Sequence, residues 1–205
     1  MKKMFLTSSF SDVASKLNDF EKDLKGKTVT FIPTASIVEK VAFYVKSGRK
    51  ALEDLGMIID ELEISTATAE EIRNKLESND YIYVTGGNTF FLLQELKRTG
   101  ADKIIIEQIS LGKLYIGESA GSVITSKNIE YVKGMDSIKK APDLNDYEAL
   151  DLVDFYTIPH CENFPFKKVA EKIITTYSDS LNLKPINNKQ VILVVNDDVK
   201  IETNQ

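Results

Sequence analysis

A serine in a tight glycine turn is the residue of this chain whose setting most suggests chemistry. Ser119 lies in Gly117–Gly121 (GESAG), directly after the β-rich run Lys113–Ile116. Between a strand and a helix, a Gly-x-Ser-x-Gly turn exposes the hydroxyl as a nucleophile, because the glycines let the chain turn sharply. Small residues also occur in ordinary strand–helix turns, so the pattern alone fits a structural turn equally well.

A serine hydroxyl attacks a carbonyl only when a neighbouring base takes its proton, and histidine is the usual base because it titrates near neutral pH. The chain has one histidine, His160, which follows the run Phe155–Ile158. We therefore predict Ser119 and His160 as nucleophile and base. Cys161 is not expected to be the nucleophile, since no second histidine could activate it.

The third residue of such a site is a carboxylate that orients the imidazole. We favour Asp136, because it gives the chain order Ser, Asp, His of hydrolases built on α/β sheets. The other carboxylates of the region stay open as alternatives: Glu130, Asp143, Asp146, Asp151, Asp154 and Glu162.

Acyl transfer also needs donors for the developing oxyanion. The N–H of Ala120, directly after the serine, is one candidate, and the N–H of Gly87 is the second. The loop Gly86–Asn88 could also be a phosphate-binding turn or a plain strand–helix loop. It lacks the third glycine and the Lys-Ser/Thr of nucleotide-binding loops, which counts against a nucleotide.

Apolar runs and amphipathic segments alternate along the chain, which predicts a mostly parallel sheet covered by helices on both faces. We predict one α/β domain over residues 1–205. The predicted strands are Met4–Leu6, Thr28–Pro33, Met57–Ile64, Tyr81–Val84, Lys113–Ile116, Phe155–Ile158 and Gln190–Val195, with Val199 and Ile201 in a hairpin partner. The predicted helices are Val13–Leu24, Val38–Leu55, Thr68–Leu76, Thr89–Lys97, Lys103–Ser110 and Phe166–Tyr177. Lys133–Tyr147 is expected to be mostly loop.

The loops that follow three of these strands hold the candidate site residues. Binding sites of open parallel sheets form beyond the carboxyl ends of the strands. The segments Thr85–Asn88, Gly117–Gly121 and Pro159–His160 all follow predicted strands, so we expect them at one sheet edge. This shared position favours a working site over three unrelated loops.

Composition narrows the class of partner. The 205 residues are 42% hydrophobic and 28% charged, with a net charge of −5, which is typical of a globular protein and argues against nucleic-acid binding. One cysteine gives neither a disulfide nor metal-ligand spacing. No signal peptide or membrane-spanning run is apparent, so we expect a cytoplasmic protein without a membrane partner. The oligomeric state is not indicated.

Together these residues resemble the peptidase E (aspartyl dipeptidase) family of serine peptidases. The resemblance rests on Thr85–Phe90 (TGGNTF), Gly117–Ser122 (GESAGS) and Ile158–His160 (IPH), and it extends over most of the chain. It implies a single-domain, three-layer α/β/α fold like the class I glutamine amidotransferases (flavodoxin-like), with serine in place of their cysteine. It implies hydrolysis of short peptides, with no cofactor and no metal.

For individual residues, the resemblance implies Ser119 as nucleophile, His160 as base, and Gly87 with Ala120 as oxyanion donors. We also expect Asn88, Lys167 and Lys168 to contact the substrate. Two differences from the family pattern affect which of these roles the resemblance implies for this chain.

The family's acid falls at Gly134, so Asp136 fits only with a slightly longer loop. The family's arginine for an acidic side chain lies downstream of the histidine, where this chain has none. Lysine lacks the bidentate fork of arginine, so strict Asp-X specificity is not carried over. A small esterase or amidase of another α/β class and a non-catalytic binding homologue are the alternatives.

Overall fold

The computed structural model describes residues 1–204, and its centre is a seven-stranded sheet. The strands of the described residues, in both the main sheet and a second, smaller one, are β1 (Lys3–Thr7), β2 (Thr28–Ile32), β3 (Ile58–Glu61), β4 (Tyr81–Val84), β5 (Leu114–Glu118), β6 (Tyr156–Ile158), β7 (Leu183–Pro185), β8 (Gln190–Val195) and β9 (Asp198–Thr203). The order in the main sheet is β3-β2-β4-β5-β1-β8-β9. Neighbours from β3 to β1 are parallel, and the β8–β9 hairpin adds two antiparallel strands beside β1.

Helices cover both faces of this sheet. The helices of the described residues are α1 (Phe10–Val13), α2 (Leu17–Phe20), α3 (Phe43–Asp54), α4 (Ala69–Ser78), α5 (Thr89–Thr99), α6 (Ala101–Ser110), α7 (Ala120–Val123) and α8 (Lys167–Tyr177), and α1 to α6 pack on the two faces. Side chains alternate between the faces along each strand: Met4 and Leu6 pack with α4, α5 and α6, whereas Phe5 packs with α1, α2 and α3. Burial on both sides explains why the central strands read as continuous apolar runs.

A second sheet of two parallel strands, β6 and β7, stands apart from the main sheet. Helix α8 connects the two strands and packs against β7, while β6 packs against α7. A third apolar cluster, which includes Phe90, Val123, Ile158 and Ile173, fills the space between α5, α7, α8 and this small sheet. The small sheet is thus anchored next to the turn that carries Ser119.

The predicted α/β/α class with a mostly parallel sheet is confirmed, and the hairpin partner at Val199 and Ile201 is present as β9. The sequence predicts Phe155–Ile158 as a strand of the single parallel sheet, whereas it belongs to the small sheet. Its partner β7 was not predicted.

Two predicted elements are shorter than their patterns suggest, and a third is broken into shorter pieces. The helix expected over Val38–Leu55 begins at Phe43, and the strand expected over Met57–Ile64 covers Ile58–Glu61. The helix expected over Val13–Leu24 is replaced by α1, a 3₁₀ turn and α2.

Candidate active site

Ser119 occupies a strained turn between β5 and α7. Its backbone angles are φ 49° and ψ −107°, in a region that residues with a side chain rarely adopt. Its N–H donates to the carbonyl of Thr7 at 2.8 Å, which extends the parallel pairing of β1 and β5 to the turn itself. The sheet therefore fixes the serine backbone on one side, and α7 begins directly after it.

Buried polar contacts hold the turn in this conformation. The Ser122 hydroxyl accepts from the Thr7 N–H at 2.9 Å and lies 2.8 Å from the carbonyl oxygens of Thr7 and Gly117. Gly121 lies so close to β4 that a Cβ there would stand 2.3 Å from the carbonyl oxygen of Val84. The motif glycine is thus required by close backbone approach.

The single histidine faces the serine. His160 Nε2 lies 3.0 Å from Ser119 Oγ, within hydrogen-bond distance for general-base catalysis. His160 follows β6 in a left-handed conformation with φ 58°, and its ring stacks on Phe166 with centroids 4.9 Å apart. The structure therefore brings together the two residues that the sequence singles out.

An asparagine, rather than a carboxylate, orients the imidazole. Asn188 Oδ1 lies 2.8 Å from His160 Nδ1. Paired strands explain the contact: Ile158 of β6 is opposite Pro185 of β7, so the loops after the two strands emerge side by side. As an acceptor, Oδ1 favours the tautomer with hydrogen on Nδ1, which leaves Nε2 free to take the serine proton.

The environment keeps His160 neutral. Burial lowers the pKa of the imidazole below its usual value, and the Asn188 hydrogen bond and the charge of Asp12 oppose this shift only in part. A neutral imidazole is the form that accepts a proton. The lowered pKa therefore favours the form of His160 that a general base requires.

Asp136, the predicted triad acid, lies elsewhere. Its carboxylate accepts from the N–H and the hydroxyl of Thr89, at 2.9 and 2.5 Å, at the start of α5. These donors fix it at the start of α5, where burial raises the pKa of the carboxyl and the two hydrogen bonds from Thr89 oppose that rise. The assignment of Asp136 as the partner of His160 is therefore corrected in favour of Asn188.

The two predicted oxyanion donors flank the serine. Ala120 is the first residue of α7, so its N–H has no acceptor within the helix. Gly87 has φ 138°, and a Cβ there would lie 2.2 Å from the carbonyl of Ala35. Within residues 1–204 the Gly87 N–H has no hydrogen-bond acceptor. Both N–H groups are thus free to bind an oxyanion.

The other predicted substrate contacts differ in their availability. Asn88 is buried, and its side chain caps α5 by accepting from the Phe91 N–H while donating to the Ser137 carbonyl. Its amide is therefore committed to structure. Lys167 and Lys168 are exposed in the first turn of α8 and make no side-chain hydrogen bond within the described residues.

Neither a metal site nor a membrane span emerges from the described residues. Residues 1–204 contain no group of three or more His, Cys, Asp or Glu side chains that could hold a metal ion. Over the same range, no helix is both long and apolar enough to cross a membrane.

A serine and a neutral histidine at the carboxyl ends of parallel strands form the arrangement of an α/β serine hydrolase. The chain belongs to peptidase family S51, whose family model matches residues 4–202. It is therefore a peptidase, an enzyme that hydrolyses peptide bonds. The resemblance to peptidase E in the sequence is confirmed, and membership favours peptide-bond hydrolysis over the esterase alternative.

Relatives of known sequence and structure agree with this membership. The chain is 60% identical to the uncharacterized peptidase Lin0382 of Listeria innocua, over 97% of this chain and 95% of that protein. It is 34% identical to peptidase E of Haemophilus influenzae, over 70% of this chain and 62% of that protein. A crystal structure of a protein from Listeria monocytogenes EGD-e superposes with a TM-score of 0.97, at 58% identity and over 100% of both chains.

Proposed function

We propose that this chain is a serine peptidase for short peptides, with Ser119 as nucleophile, His160 as general base and Asn188 as the residue that orients the imidazole. The observation that carries the proposal is the 3.0 Å contact between Ser119 Oγ and His160 Nε2, made by a serine held at positive φ. Membership of the S51 family supports the same reaction.

In the first half of the reaction, His160 Nε2 takes the hydroxyl proton of Ser119 while Oγ attacks the scissile carbonyl carbon. A bond forms between Oγ and carbon, and the carbonyl oxygen becomes an oxyanion. The N–H groups of Gly87 and Ala120 stabilise it. Asn188 holds the imidazolium ring in place through Nδ1, although it contributes no negative charge.

In the second half, the carbon–nitrogen bond breaks and His160 returns its proton to the leaving amine. A water molecule, deprotonated by His160, then attacks the acyl-enzyme. Cleavage of the ester bond restores the Ser119 hydroxyl and releases the carboxylic acid. No step requires a metal or a cofactor.

Charge around the site bears on substrate choice. All three arginines form ion pairs with glutamates: Arg49 with Glu61, Arg73 with Glu77, and Arg98 with Glu95. No guanidinium is therefore free to hold an acidic side chain next to the scissile bond. We propose that dipeptides with neutral side chains at this position are better substrates than Asp-X dipeptides.

The test is hydrolysis of a dipeptide library by the wild-type protein and by Ser119→Ala. We expect kcat to fall by about 10⁴-fold or more in the variant, as for the loss of other catalytic serines. Ser110→Ala, a change at an exposed serine on α6, is the matched control and should keep full activity. A fluorophosphonate adduct on Ser119 should appear only where that serine is present. Full activity in Ser119→Ala would refute the proposal.

A further inference from the structure

The residue directly before the nucleophile is a buried carboxylic acid that the mechanism above does not use. Glu118 is 3% exposed. Its Oε1 accepts from the Phe10 N–H at 3.0 Å, and its Oε2 accepts from the Tyr83 hydroxyl at 2.9 Å. The Gly86 N–H also faces the carboxyl and, as a hydrogen-bond donor does, lowers its pKa.

These contacts join the elements that build the site. Glu118 ends β5, Tyr83 belongs to β4, and Phe10 begins α1. Gly86 borders the nucleophile, since a Cβ there would lie 3.1 Å from Ser119 Cβ, and it directly precedes the oxyanion donor Gly87. The carboxyl is therefore placed between the nucleophile turn and the Gly86–Gly87 loop.

The Phe10 and Gly86 N–H groups can only donate, and the Tyr83 hydroxyl has no acceptor other than Glu118 among the described residues, so this set matches a group that only accepts hydrogen bonds. An ionised carboxylate is such a group, whereas a protonated acid or an amide must also donate. A hydrogen placed on Oε1 would face the Phe10 N–H and remove that contact, and a hydrogen placed on Oε2 would make Tyr83 the acceptor and leave the tyrosine hydrogen without an acceptor among the described residues. The ionised form of Glu118 is thus the form that ties the neighbours together.

No cation compensates this charge, because Glu118 forms no ion pair with a lysine, an arginine or His160 in the part of the chain that the structure describes. The titratable groups that face it are Tyr83 on β4, Asp12 on α1 and Tyr44 on α3. Burial is the largest influence and raises the pKa of Glu118 to about 7; the hydrogen bonds oppose this rise and the charge of Asp12 adds to it. The carboxyl therefore changes its charge near neutral pH.

We propose that Glu118 is a positioning residue whose ionised carboxylate holds the Ser119 turn and the Gly86–Gly87 loop in their catalytic geometry. The inference rests on the proposed function, since it assumes that Ser119 attacks and that Gly87 binds the oxyanion. Its consequence is that activity rises with pH as Glu118 loses its proton. The proton on this residue, rather than that on His160, then sets the acid side of the pH profile.

Glu118→Gln tests this by removing the charge while keeping the shape. We expect kcat to fall by about 10-fold to 100-fold with a smaller change in KM, comparable to the weakening of an oxyanion donor. The wild-type rise of kcat/KM through an apparent pKa near 7 should disappear. The remaining acid limb should lie lower, at the pKa of His160, which burial holds below its usual value.

Tyr83→Phe tests the same point while leaving the carboxyl in place. The tyrosine hydrogen bond lowers the pKa of Glu118, so its loss should move the acid limb to higher pH. Glu95→Gln, at a buried glutamate of α5 that pairs with Arg98, is the matched control and should leave the profile unchanged. Unchanged acid limbs in both Glu118→Gln and Tyr83→Phe would overturn the proposal.

Unfolding measurements give a readout that does not need turnover. Because the pKa of Glu118 is higher in the folded protein than the ordinary 4.5, the folded state holds this proton more tightly. Its contribution to stability is present below about pH 4.5 and is lost as the pH rises through about 7. The melting temperature of Glu118→Gln, compared with wild type, should therefore increase between pH 5 and pH 8.

The two proposals fail in different ways. If Ser119→Ala keeps full activity, the proposed function fails, whereas the melting comparison still measures the charge change of Glu118. If Ser119→Ala is inactive but Glu118→Gln shows wild-type kcat and an unchanged pH profile, only the role of Glu118 fails. The rate of fluorophosphonate labelling of Ser119 against pH gives a second comparison that needs no peptide substrate.

Discussion

Asn188 can orient the imidazole ring of His160, but its amide carries no charge that would stabilise the imidazolium. A carboxylate at this place would both orient the ring and stabilise the imidazolium that forms during attack. The amide oxygen, at 2.8 Å from Nδ1, supplies only the first of these effects. Burial lowers the pKa of His160, and the hydrogen bond to the neutral Asn188 amide opposes this shift only in part. The site therefore favours proton uptake less than one with a carboxylate would.

Asn188→Asp should change this balance. A carboxylate beside Nδ1 favours the charged imidazole, so the pKa of His160 should rise above its wild-type value and kcat should increase about 10-fold. Because His160 is the only histidine, its ring signals can be followed in an NMR titration without assignment. Asn187→Asp, one residue earlier, is the control. An unchanged His160 titration would contradict this role of Asn188.

At the scale of single residues, the nucleophile and the base are predictable because their residue types or settings are rare in this chain. Ser119 stood out by its glycine turn and His160 by being the only histidine. Asn188 is not predicted, because the residue that orients a catalytic histidine is ordinarily a carboxylate. Its position depends on β7, a three-residue strand that ends in proline and has no recognisable alternation. Asp136 was chosen on chain order, which carries no information about distance.

At the scale of the elements, one hydroxyl connects the small sheet to the main sheet. Ser8, directly after β1, is 1% exposed. Its Oγ accepts from the His160 N–H at 3.0 Å and donates to the Ile186 carbonyl at 3.0 Å. One side chain of the main sheet thus holds both the loop after β6 and the loop after β7. The base and its orienting residue are positioned relative to Ser119 through this link.

We expect Ser8→Ala to lower kcat about 10-fold, since a small displacement of His160 lengthens its contact with Ser119. The loss of two buried hydrogen bonds should also cost about 1–3 kcal/mol of unfolding free energy. Ser9→Ala is the matched control, because the Ser9 side chain makes no capping hydrogen bond at α1. Steady-state kinetics and denaturant unfolding measure the two effects. Wild-type kcat in Ser8→Ala would show that packing alone positions His160.

The elements of the main sheet were predictable because both of their faces are buried, so each strand is a continuous apolar run. The small sheet was harder, since its strands are short and β7 is only half-buried. Helix α3 begins later than its pattern suggests, and residues 38–42 form a loop instead. The Val38 carbonyl in this loop accepts a hydrogen bond from Lys140 Nζ, a residue far away in the chain. Such long-range contacts cannot be predicted from the local periodicity of the sequence.

For the molecule as a whole, the two ends of the parallel strands have separate tasks. The carboxyl ends hold the site, whereas Asp80 joins the amino ends of β2 and β4. Its carboxylate accepts from the Thr28 N–H at 2.8 Å and pairs with Lys27 at 3.0 Å. The hydrogen bond from the Thr28 backbone is the main reason why the pKa of Asp80 lies below its usual value.

Asp80→Asn should therefore affect stability and leave catalysis unchanged. The carboxylate stabilises the folded state above the usual pKa of 3.8, and this contribution is lost as the pH falls through the lower folded value. Because the side chain is partly exposed, we expect a loss of only about 1 kcal/mol at pH 7, or about 2–4 °C in Tm. The difference from wild type should shrink in melts recorded near pH 3. A fall in kcat would contradict the separation of tasks.

The small sheet also determines when the enzyme becomes reactive during its synthesis. Ser119 leaves the ribosome well before His160 and Asn188, which are delivered by β6, α8 and β7. Until that unit folds against α7, the serine hydroxyl has no base and stays a poor nucleophile. Translation adds about 5–20 residues per second, so the parallel strands β1 to β5 are synthesised seconds before His160 and Asn188.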